Sequence, residues 1–504
     1  MSETGRELPS LTRAFPDPTT APEVTYNPGF DELRSFSASM ETTTEYGSPS
    51  YVSEFRSRSA DRTKNTVDDE LTDDDRETLA AAQEYARNRE LVCVDRQVGR
   101  HPDVTFTCRL YVPKEYSRIA LAWAKLFEPA PEGADPDFVT LQLPDWDETM
   151  IRVLAEEGTT YVLGSDYTGE AKKSFLRLFM YRAKQRGGLG LHAGSKQVTV
   201  RDADGDLRDV GQVFLGLSAT GKSTLTGHGF WLDEPESAVM RQDDVCALLP
   251  DGAVAGSEGN GLYIKTIGLD EDEQPELYRA ATHPSAVLEN VSVAEDGTVD
   301  FDVPEHTTNS RAVVLREHLA SADDEIDVEC MDQVFFITRN PLMPPVAKLT
   351  DEQAAAAFML GESIQTSAGD PSRAGESIRV VGTNPFIVGS EGEEGNRFYD
   401  LVAANDADCF LINTGYLGDR AKDIGVADTV RILTEVARGT VEWVDDDRLG
   451  MSIPERVPEM DIGAFYVPEH VEEFESSLAA MRAERREYLD GFPELRVEIK
   501  DAAY

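Results

Sequence analysis

The chain has 504 residues, and 94 Asp and Glu against 48 Lys and Arg give it a formal net charge of −46 at pH 7. So large an acidic excess repels nucleic acids and anionic membranes, which argues against both as partners. Because 40% of the residues are hydrophobic, enough for a sizeable core, the excess indicates an acidic surface on a globular protein rather than disorder.

The charge and the cysteines also bear on location. An acidic surface of this kind suits a cytoplasm of very high salt, in which cations screen its self-repulsion. The cysteines are odd in number and form no C-x-x-C pair, which favours reduced thiols; they are Cys93, Cys108, Cys246, Cys330 and Cys409. No apolar run approaches the ~20 residues of a membrane span, and the start of the chain lacks a signal-peptide pattern. These features predict a halophilic cytoplasmic protein.

The first 186 residues divide into two parts. Residues 1–50 are rich in Ser, Thr, Pro and Glu, which predicts an extended N-terminal arm. The basic residues within 55–64 either attract an anionic substrate or form a solvated loop. From Thr72, a predicted helix N-cap, helical and strand patterns alternate as far as the break at Gly187-Gly188. This alternation predicts an N-terminal α/β domain over residues 51–186.

A phosphate-binding loop opens the second half. The apolar residues 213–215 lead into the sequence GLSATGKST at 216–224, which has the Gly-x-x-x-x-Gly-Lys-Ser spacing. In such a loop, backbone N–H groups surround the phosphates, the lysine reaches the β- and γ-phosphates, and the following hydroxyl ligates Mg²⁺. Lys222 and Ser223 hold those two positions. The alternative, a Gly-rich turn that binds nothing, does not account for the complete spacing.

Three further stretches carry chemical signals. Asp243 and Asp244 follow a predicted strand about twenty residues after the loop, a suitable place for a metal that bridges phosphates. Lys265 follows a glycine-rich turn and is a second candidate phosphate contact. Residues 361–396 are polar and rich in Gly and Ser, which predicts a mobile lid or a disordered insertion.

Taken together, the motifs resemble the ATP-dependent phosphoenolpyruvate carboxykinase family. In chain order they are YTGEAKK (167–173), GLHAGS (190–195), GLSATGKST (216–224), QDD (242–244), GSEGNGLYIKTI (256–267), NSRA (309–312) and NTGY (413–416). The resemblance implies a two-domain carboxykinase-like α/β fold with mixed sheets and a nucleotide- and metal-binding domain over residues 187–504. It also implies the conversion of oxaloacetate and ATP to phosphoenolpyruvate, CO₂ and ADP in gluconeogenesis.

The same resemblance implies the metal and substrate ligands. Lys173, His192 and Asp244 match the family's Mn²⁺ ligands, and Ser223 with Asp243 would organise the Mg²⁺ that accompanies ATP. The substrate-binding residues it implies are Arg58, Tyr167, Lys173 and Arg311, and the catalytic ones are Lys173, Lys222 and Arg311. The nucleotide-binding residues it implies are Gly216, Ser218, Ala219, Thr220, Gly221, Lys222, Ser223, Thr224, Lys265 and Thr429.

Some points stay open at this level. Where the family has Lys-Arg near the phosphates, the chain has Lys422-Asp423, with Arg420 displaced. A phosphate-loop kinase of another small acid and a non-catalytic nucleotide-binding regulator are the alternatives, although the full set of metal ligands argues against the second. The apolar stripe of a predicted helix over residues 470–488 is typical of intramolecular packing, so we expect a monomer.

Overall fold

The structure, a computed structural model, describes residues 17–54, 60–217, 220–364, 377–419 and 422–504. Two compact units are present. The first comprises Met1–Tyr181 and Glu258–Ala320, and the second comprises Arg182–Ser257 and Ser321–Tyr504. Within the described ranges, no helix has both the length and the apolar character needed to cross a membrane.

The elements are numbered along the chain. The helices are α1 (Phe30–Phe36), α2 (Asp73–Arg87), α3 (Ser117–Leu126), α4 (Thr168–Gln185), α5 (Lys222–Gly227), α6 (Pro275–Ala281), α7 (Asp351–Leu360), α8 (Glu391–Asn405), α9 (Val426–Arg438), α10 (Phe474–Asp490) and α11 (Val497–Asp501). The strands of the first unit are β1 (Val24–Tyr26), β2 (Glu41–Thr43), β3 (Pro49–Tyr51), β4 (Thr63–Asn65), β5 (Leu91–Val98), β6 (Phe106–Pro113), β7 (Glu128–Pro129), β8 (Phe138–Leu143), β9 (Met150–Leu154), β10 (Thr159–Leu163), β17 (Gly261–Lys265), β18 (Val287–Glu289), β19 (Ser292–Val293), β20 (Val299–Asp300) and β21 (Arg311–Leu315). Those of the second are β11 (Leu189–Leu191), β12 (Ala193–Arg201), β13 (Leu207–Leu215), β14 (Ser237–Gln242), β15 (Cys246–Leu248), β16 (Val254–Gly256), β22 (Gln333–Thr338), β23 (Val346–Leu349), β24 (Glu362–Ile364), β25 (Ser377–Arg379), β26 (Asp408–Asn413), β27 (Tyr416–Leu417), β28 (Lys422–Asp423), β29 (Glu442–Asp446) and β30 (Met451–Arg456).

The first unit contains two mixed sheets. One has the strand order β1-β5-β6-β8-β10-β9-β4, with β7 paired to β5, and the other has the order β17-β21-β18-β3-β2. In the second sheet β18 pairs in parallel with β3, so residues 258–320 share a sheet with residues 41–51. The compact units therefore differ from the division predicted at residue 186, which placed residues 258–320 with the C-terminal part.

The prediction of an extended arm over residues 1–50 does not describe residues 17–50. Strand β1 pairs in parallel with β5, Leu33 on α1 is fully buried, and β2 and β3 form one edge of the second sheet. The sequence signal is weak because β1 is only three residues long and partly exposed at a sheet edge.

The predicted start of α2 is confirmed. The Thr72 side chain accepts a hydrogen bond from the backbone of Asp75, whose carboxylate in turn accepts from the backbone of Thr72, which forms a capping box. Leu79, Ala82 and Ala86 then face a core that includes Tyr161. Local helix signals and burial agree here.

The second unit is built on a mixed sheet with the order β14-β12-β13-β22-β26-β23-β30-β29. Strands β13, β22 and β26 are parallel neighbours at its centre, and β11, β15 and β16 form a separate antiparallel sheet. The predicted apolar stripe on α10 is confirmed as intramolecular packing, since Phe474, Leu478 and Met481 belong to the core of this unit.

Of the predicted lid over residues 361–396, the structure describes residues 361–364 and 377–396. Helix α7 ends at Leu360, its C-cap Gly361 has a left-handed backbone, and β24 then pairs with β25. Residues 365–376 lie outside the described residues, and residues 391–396 are already part of α8.

Candidate functional site

The glycine-rich loop connects the central strand β13 to α5. Gly221 is the N-cap of α5 at φ 101°, a backbone conformation that residues with a Cβ rarely adopt. A Cβ on Gly216 would lie 2.6 Å from Thr220 Oγ1, so the loop also needs glycine there. Thr220 is held from both sides, since its hydroxyl donates to Leu217 O at 2.8 Å and its carbonyl accepts from the Thr414 hydroxyl at 2.7 Å. Ser218 and Ala219 lie outside the described residues.

Lys222 begins α5 and carries a buried ammonium group. Its Nζ has no hydrogen-bond partner among the described residues, and Asp244 Oδ1 lies 3.7 Å away. Asp243 Oδ1 is likewise buried without a described partner. Leaving buried charged groups unsatisfied is costly, so a donor and an acceptor in this state indicate a place for a polar ligand.

His192 lies beside Asp244. Its Nδ1 is 2.6 Å from the Thr383 carbonyl oxygen, and its Nε2 is 3.1 Å from Asp244 Oδ1. Because a carbonyl can only accept, Nδ1 must carry a proton, and in the neutral ring Nε2 then presents its lone pair to the carboxylate. A nitrogen and a carboxylate oxygen presented in this way suit a divalent metal.

The other predicted nucleotide-binding residues of the second unit differ in how exposed their side chains are. Ser223 and Thr224 lie in the first turn of α5 with exposed side chains. Thr429 on α9 is buried, and its hydroxyl donates to Gly425 O at 3.2 Å.

Lys196, which was not predicted from the sequence, contacts the C-terminal end of α5. This fully buried residue of β12 donates to the Leu225 carbonyl at 2.7 Å and to the His228 carbonyl, and its Nζ lies 4.0 Å from the Phe230 ring centroid. It therefore meets the carbonyl end of the short helix that follows the loop. Burial lowers the pKa of Lys196 well below its ordinary value. No sequence signal distinguishes this lysine from a surface one, because it stands in an ordinary strand.

The first unit holds the predicted substrate-side residues. Asn309 Nδ2 donates to the Tyr167 hydroxyl at 3.1 Å, and Arg311 Nη2 donates to Asn309 Oδ1 at 2.9 Å. Lys265 pairs with Arg311 in the register of β17 and β21, so two predicted ligands are cross-strand neighbours. Asn309 was missed, although its position two residues before Arg311 was a usable signal.

Tyr167, the residue before α4, lies close to Lys173 in the second turn of that helix. Lys173 Nζ is 2.5 Å from Glu170 Oε1 and 5.7 Å from the centroid of the Tyr167 ring. A Cβ on Gly169 would lie 2.3 Å from Tyr167 Cε1, so only glycine leaves room for that ring. Close packing against the Tyr167 ring thus explains why the YTGE motif has glycine at position 169.

Tyr263 is a further residue that the sequence reasoning did not single out. Its ring centroid lies 6.2 Å from that of Tyr167, and the Arg311 guanidinium carbon lies 5.5 Å from the ring. Its hydroxyl donates to Glu289, which is buried. The signal was present in GLYIKT, where Tyr263 and Lys265 are two residues apart on one strand.

The predicted metal ligands lie in both units, with Lys173 in the first and His192 and Asp244 in the second. Over the ranges that the structure describes, no cluster of three or more His, Cys, Asp or Glu side chains is arranged to hold a metal ion. Arg58, the remaining predicted substrate ligand, lies in residues 55–59, outside the described residues.

Known proteins match most of the chain. The family model for phosphoenolpyruvate carboxykinase matches residues 24–462. The protein from Aeropyrum pernix named phosphoenolpyruvate carboxykinase (ATP) is 36% identical over 482 residues, which cover 94% of this chain and 95% of that protein. Proteins of the same name from Mesorhizobium japonicum and Bradyrhizobium diazoefficiens are 28% and 26% identical, over 75% and 74% of this chain and 71% of each relative.

Proposed function

The chain belongs to the ATP-dependent phosphoenolpyruvate carboxykinase family, and we propose that it converts oxaloacetate and ATP to phosphoenolpyruvate, CO₂ and ADP in the direction of gluconeogenesis. The observation that supports this most directly is the buried Lys222 ammonium without a hydrogen-bond partner in the described ranges, at the start of the helix after the glycine-rich loop. That is where a phosphate-binding loop places the lysine that contacts the β- and γ-phosphates.

The loop binds the triphosphate. Backbone N–H groups at the start of α5, together with the Lys222 ammonium, attract the negative oxygens and hold the γ-phosphoryl group. The nucleotide-binding residues of this proposal are Gly216, Ser218, Ala219, Thr220, Gly221, Lys222, Ser223, Thr224, Lys265 and Thr429. Little covalent chemistry is asked of the protein, because phosphoryl transfer needs mainly positioning and charge stabilisation.

Lys173, His192 and Asp244 would hold Mn²⁺, and Ser223 with Asp243 would hold the Mg²⁺ of ATP. The residues present fit a cation, since His192 Nε2 and Asp244 Oδ1 face each other at 3.1 Å and Asp243 Oδ1 is buried without a partner in the described ranges. A divalent metal supplies charge stabilisation to the enolate and to the transferring phosphoryl group. Lysine ligates a metal only as the neutral amine, so Lys173 must give up a proton to take this role, while a remaining N–H can still donate to Glu170.

The proposed ligands of the substrate carboxylates are Arg311 and Arg58, together with Tyr167. Arg311 is oriented for this role because Asn309 accepts a hydrogen bond from one of its guanidinium nitrogens. This bond fixes the direction in which the guanidinium group points. Asn309 also donates to the Tyr167 hydroxyl, so the side-chain amide of Asn309 positions both Arg311 and Tyr167. After decarboxylation, these residues keep the enolate oriented toward the phosphoryl group and away from a proton source.

The domain arrangement, the oligomeric state and the cellular location are the last parts of the proposal. A two-domain carboxykinase arrangement with a phosphate loop is supported by the two compact units and by the loop geometry around Gly221. A monomer is supported by the packing of α10 into its own core. A cytoplasmic, high-salt location is supported by the five unpaired cysteines and the net charge of −46.

A coupled assay tests the function. Purified protein in molar salt with Mn²⁺ is given oxaloacetate and either ATP or GTP, and phosphoenolpyruvate and CO₂ are measured together. We expect both products only when oxaloacetate and a nucleotide are present, with ATP preferred. Phosphorylation of another acid without CO₂ release would instead indicate a different kinase, and nucleotide binding without any turnover would indicate a regulator.

A further inference from the structure

A group of buried charges lies behind the substrate-side residues of the first unit. The Arg118 guanidinium on α3 donates to Asp166 Oδ2 at 2.6 Å and to Glu289 Oε1 at 3.4 Å. The side chains are 2%, 8% and 4% exposed, respectively. We call Asp166, Arg118 and Glu289 the buried charge triad. A single cation thus joins the residue before the YTGE motif to the end of strand β18.

Two carboxylates share this one guanidinium, so the triad carries an excess negative charge that other donors must satisfy. Glu289 accepts from the backbone N–H of Thr168 at 3.0 Å and from the Tyr263 hydroxyl, and Asp166 accepts from the backbone N–H of Glu54 at 2.8 Å. Since a buried carboxylate is costly without such donors, the triad dictates where these three groups lie.

Glu289 acts on the substrate side through Tyr263. The Tyr263 ring is the surface against which the Tyr167 ring and the Arg311 guanidinium lie, with centroid distances of 6.2 Å and 5.5 Å. Burial, and then the charge of Glu289, raise the pKa of Tyr263 well above its ordinary value, so the phenol keeps the proton that it donates. The ring is therefore held at its hydroxyl end by one fixed acceptor.

The N-terminus of α4 is fixed by the same carboxylate. Thr168 is the first residue of this helix, and Lys173 lies five residues further along it. Glu289 therefore contacts the start of the element that carries Lys173 and, through Tyr263, touches the surroundings of Arg311. Replacing a buried ion pair by apolar residues of similar volume is often neutral or stabilising, so the triad is weak evidence for a role in stability alone.

We infer that the buried charge triad is a positioning device for the oxaloacetate side of the reaction, in which Glu289 sets Tyr263 and the start of α4 and thereby aligns Tyr167, Arg311 and Lys173. This inference rests on the proposed function. Glu289 is a positioning residue, because it contacts other side chains and the backbone rather than substrate. Misalignment of the substrate side changes the use of oxaloacetate and leaves the binding of ATP as it is.

The test is Glu289→Gln, which keeps the shape of the side chain and removes its charge. We expect kcat/KM for oxaloacetate to fall by about tenfold or more, as for other small displacements of reacting groups, while KM for ATP stays unchanged. Asp95→Asn is the matched control. Asp95 is also buried, accepts from the Arg109 guanidinium at 2.7 Å and accepts from the Tyr26 hydroxyl at 2.8 Å. It is expected to lower the melting temperature comparably without changing kcat/KM for oxaloacetate.

A parent-like kcat/KM for oxaloacetate in Glu289→Gln, or an equal loss in Asp95→Asn, would overturn the inference. If Glu289→Gln does not fold, Tyr263→Phe replaces it, since it keeps the ring and removes only the bond to Glu289; it should change the same parameter in the same direction. A parent protein that forms no phosphoenolpyruvate at all would instead remove the proposed function, and the inference with it.

Discussion

Glu362 offers a quantitative test of how the second unit is held together. Its carboxylate accepts hydrogen bonds from Arg485 at 2.8 and 3.2 Å, from Arg379 at 2.9 and 3.2 Å, and from Asn340 at 2.9 Å. Glu362 and Arg485 are 6% and 1% exposed. Glu362→Gln keeps the shape but removes the buried carboxylate that pairs with Arg485 and Arg379.

The expected cost follows from the electrostatics. Despite burial, which opposes it, the two arginines lower the pKa of Glu362 from 4.5 to about 2. At about 1.4 kcal/mol for each tenfold change in proton affinity, this corresponds to about 3 kcal/mol. Breaking a buried ion pair from one side costs about 3–5 kcal/mol, which agrees. We therefore expect Glu362→Gln to lower the free energy of unfolding by about 3 kcal/mol at neutral pH.

The sign of the pH dependence is fixed as well. A carboxyl group with a lowered pKa in the folded state contributes stability that is complete above its unfolded pKa and is lost as pH falls through the folded one. The difference in free energy of unfolding between the parent and Glu362→Gln should thus be constant at neutral pH. It should become smaller as the pH falls from 4.5 to about 2. Urea unfolding midpoints measured over a pH series in constant molar salt provide the assay.

Glu442→Gln is the matched control, because Glu442 pairs with Arg456 at 2.7 Å while the two side chains are 57% and 65% exposed. Such a surface pair contributes about 0–1 kcal/mol. If Glu362→Gln costs no more than Glu442→Gln, or if its effect does not change with pH, the buried network does not carry the stability assigned to it.

Four further predictions concern activity. Lys222→Ala should lower kcat at least about 100-fold with the fold intact, because a point charge on the γ-phosphate is lost. His192→Ala should weaken Mn²⁺ binding by about 10-fold or more, since a ligand is removed. Electron paramagnetic resonance of free Mn²⁺ measures this binding. Gly169→Ala places a Cβ 2.3 Å from the Tyr167 ring, so KM for oxaloacetate should rise while KM for ATP does not. Low salt should inactivate and destabilise the protein, because self-repulsion then reaches over ~30 Å instead of ~3 Å in molar salt.

Each of these has a contrary outcome. Turnover of Lys222→Ala within about tenfold of the parent would contradict the assigned phosphate contact. Overlapping Mn²⁺ titrations of the His192 variant and the parent would show that this imidazole is not a ligand. Unchanged oxaloacetate kinetics in Gly169→Ala would mean that Tyr167 adapts without cost. An unaltered melting temperature and activity in dilute buffer would show that the acidic surface does not require salt.

Local signals in the sequence were sufficient for several elements. The Thr72 cap, the strand before the glycine-rich loop and the left-handed Gly221 follow from interactions within a few residues, which a linear pattern records. The order of the motifs was sufficient for the family. Helix α10 begins at Phe474 rather than at 470, because a 3₁₀ turn over Val467–Glu469 and a left-handed Glu473 precede it.

The sequence by itself determined the candidate nucleotide loop, the acidic character and the family, because those depend on residue types at fixed spacing. Only the tertiary structure decided that residues 258–320 join the first unit, since a parallel pairing of β18 with β3 links segments more than 200 residues apart. It also decided the burial of Glu289, Arg118 and Lys196. In a linear pattern these are ordinary charged residues, and their roles arise from partners that folding brings to them from distant parts of the chain.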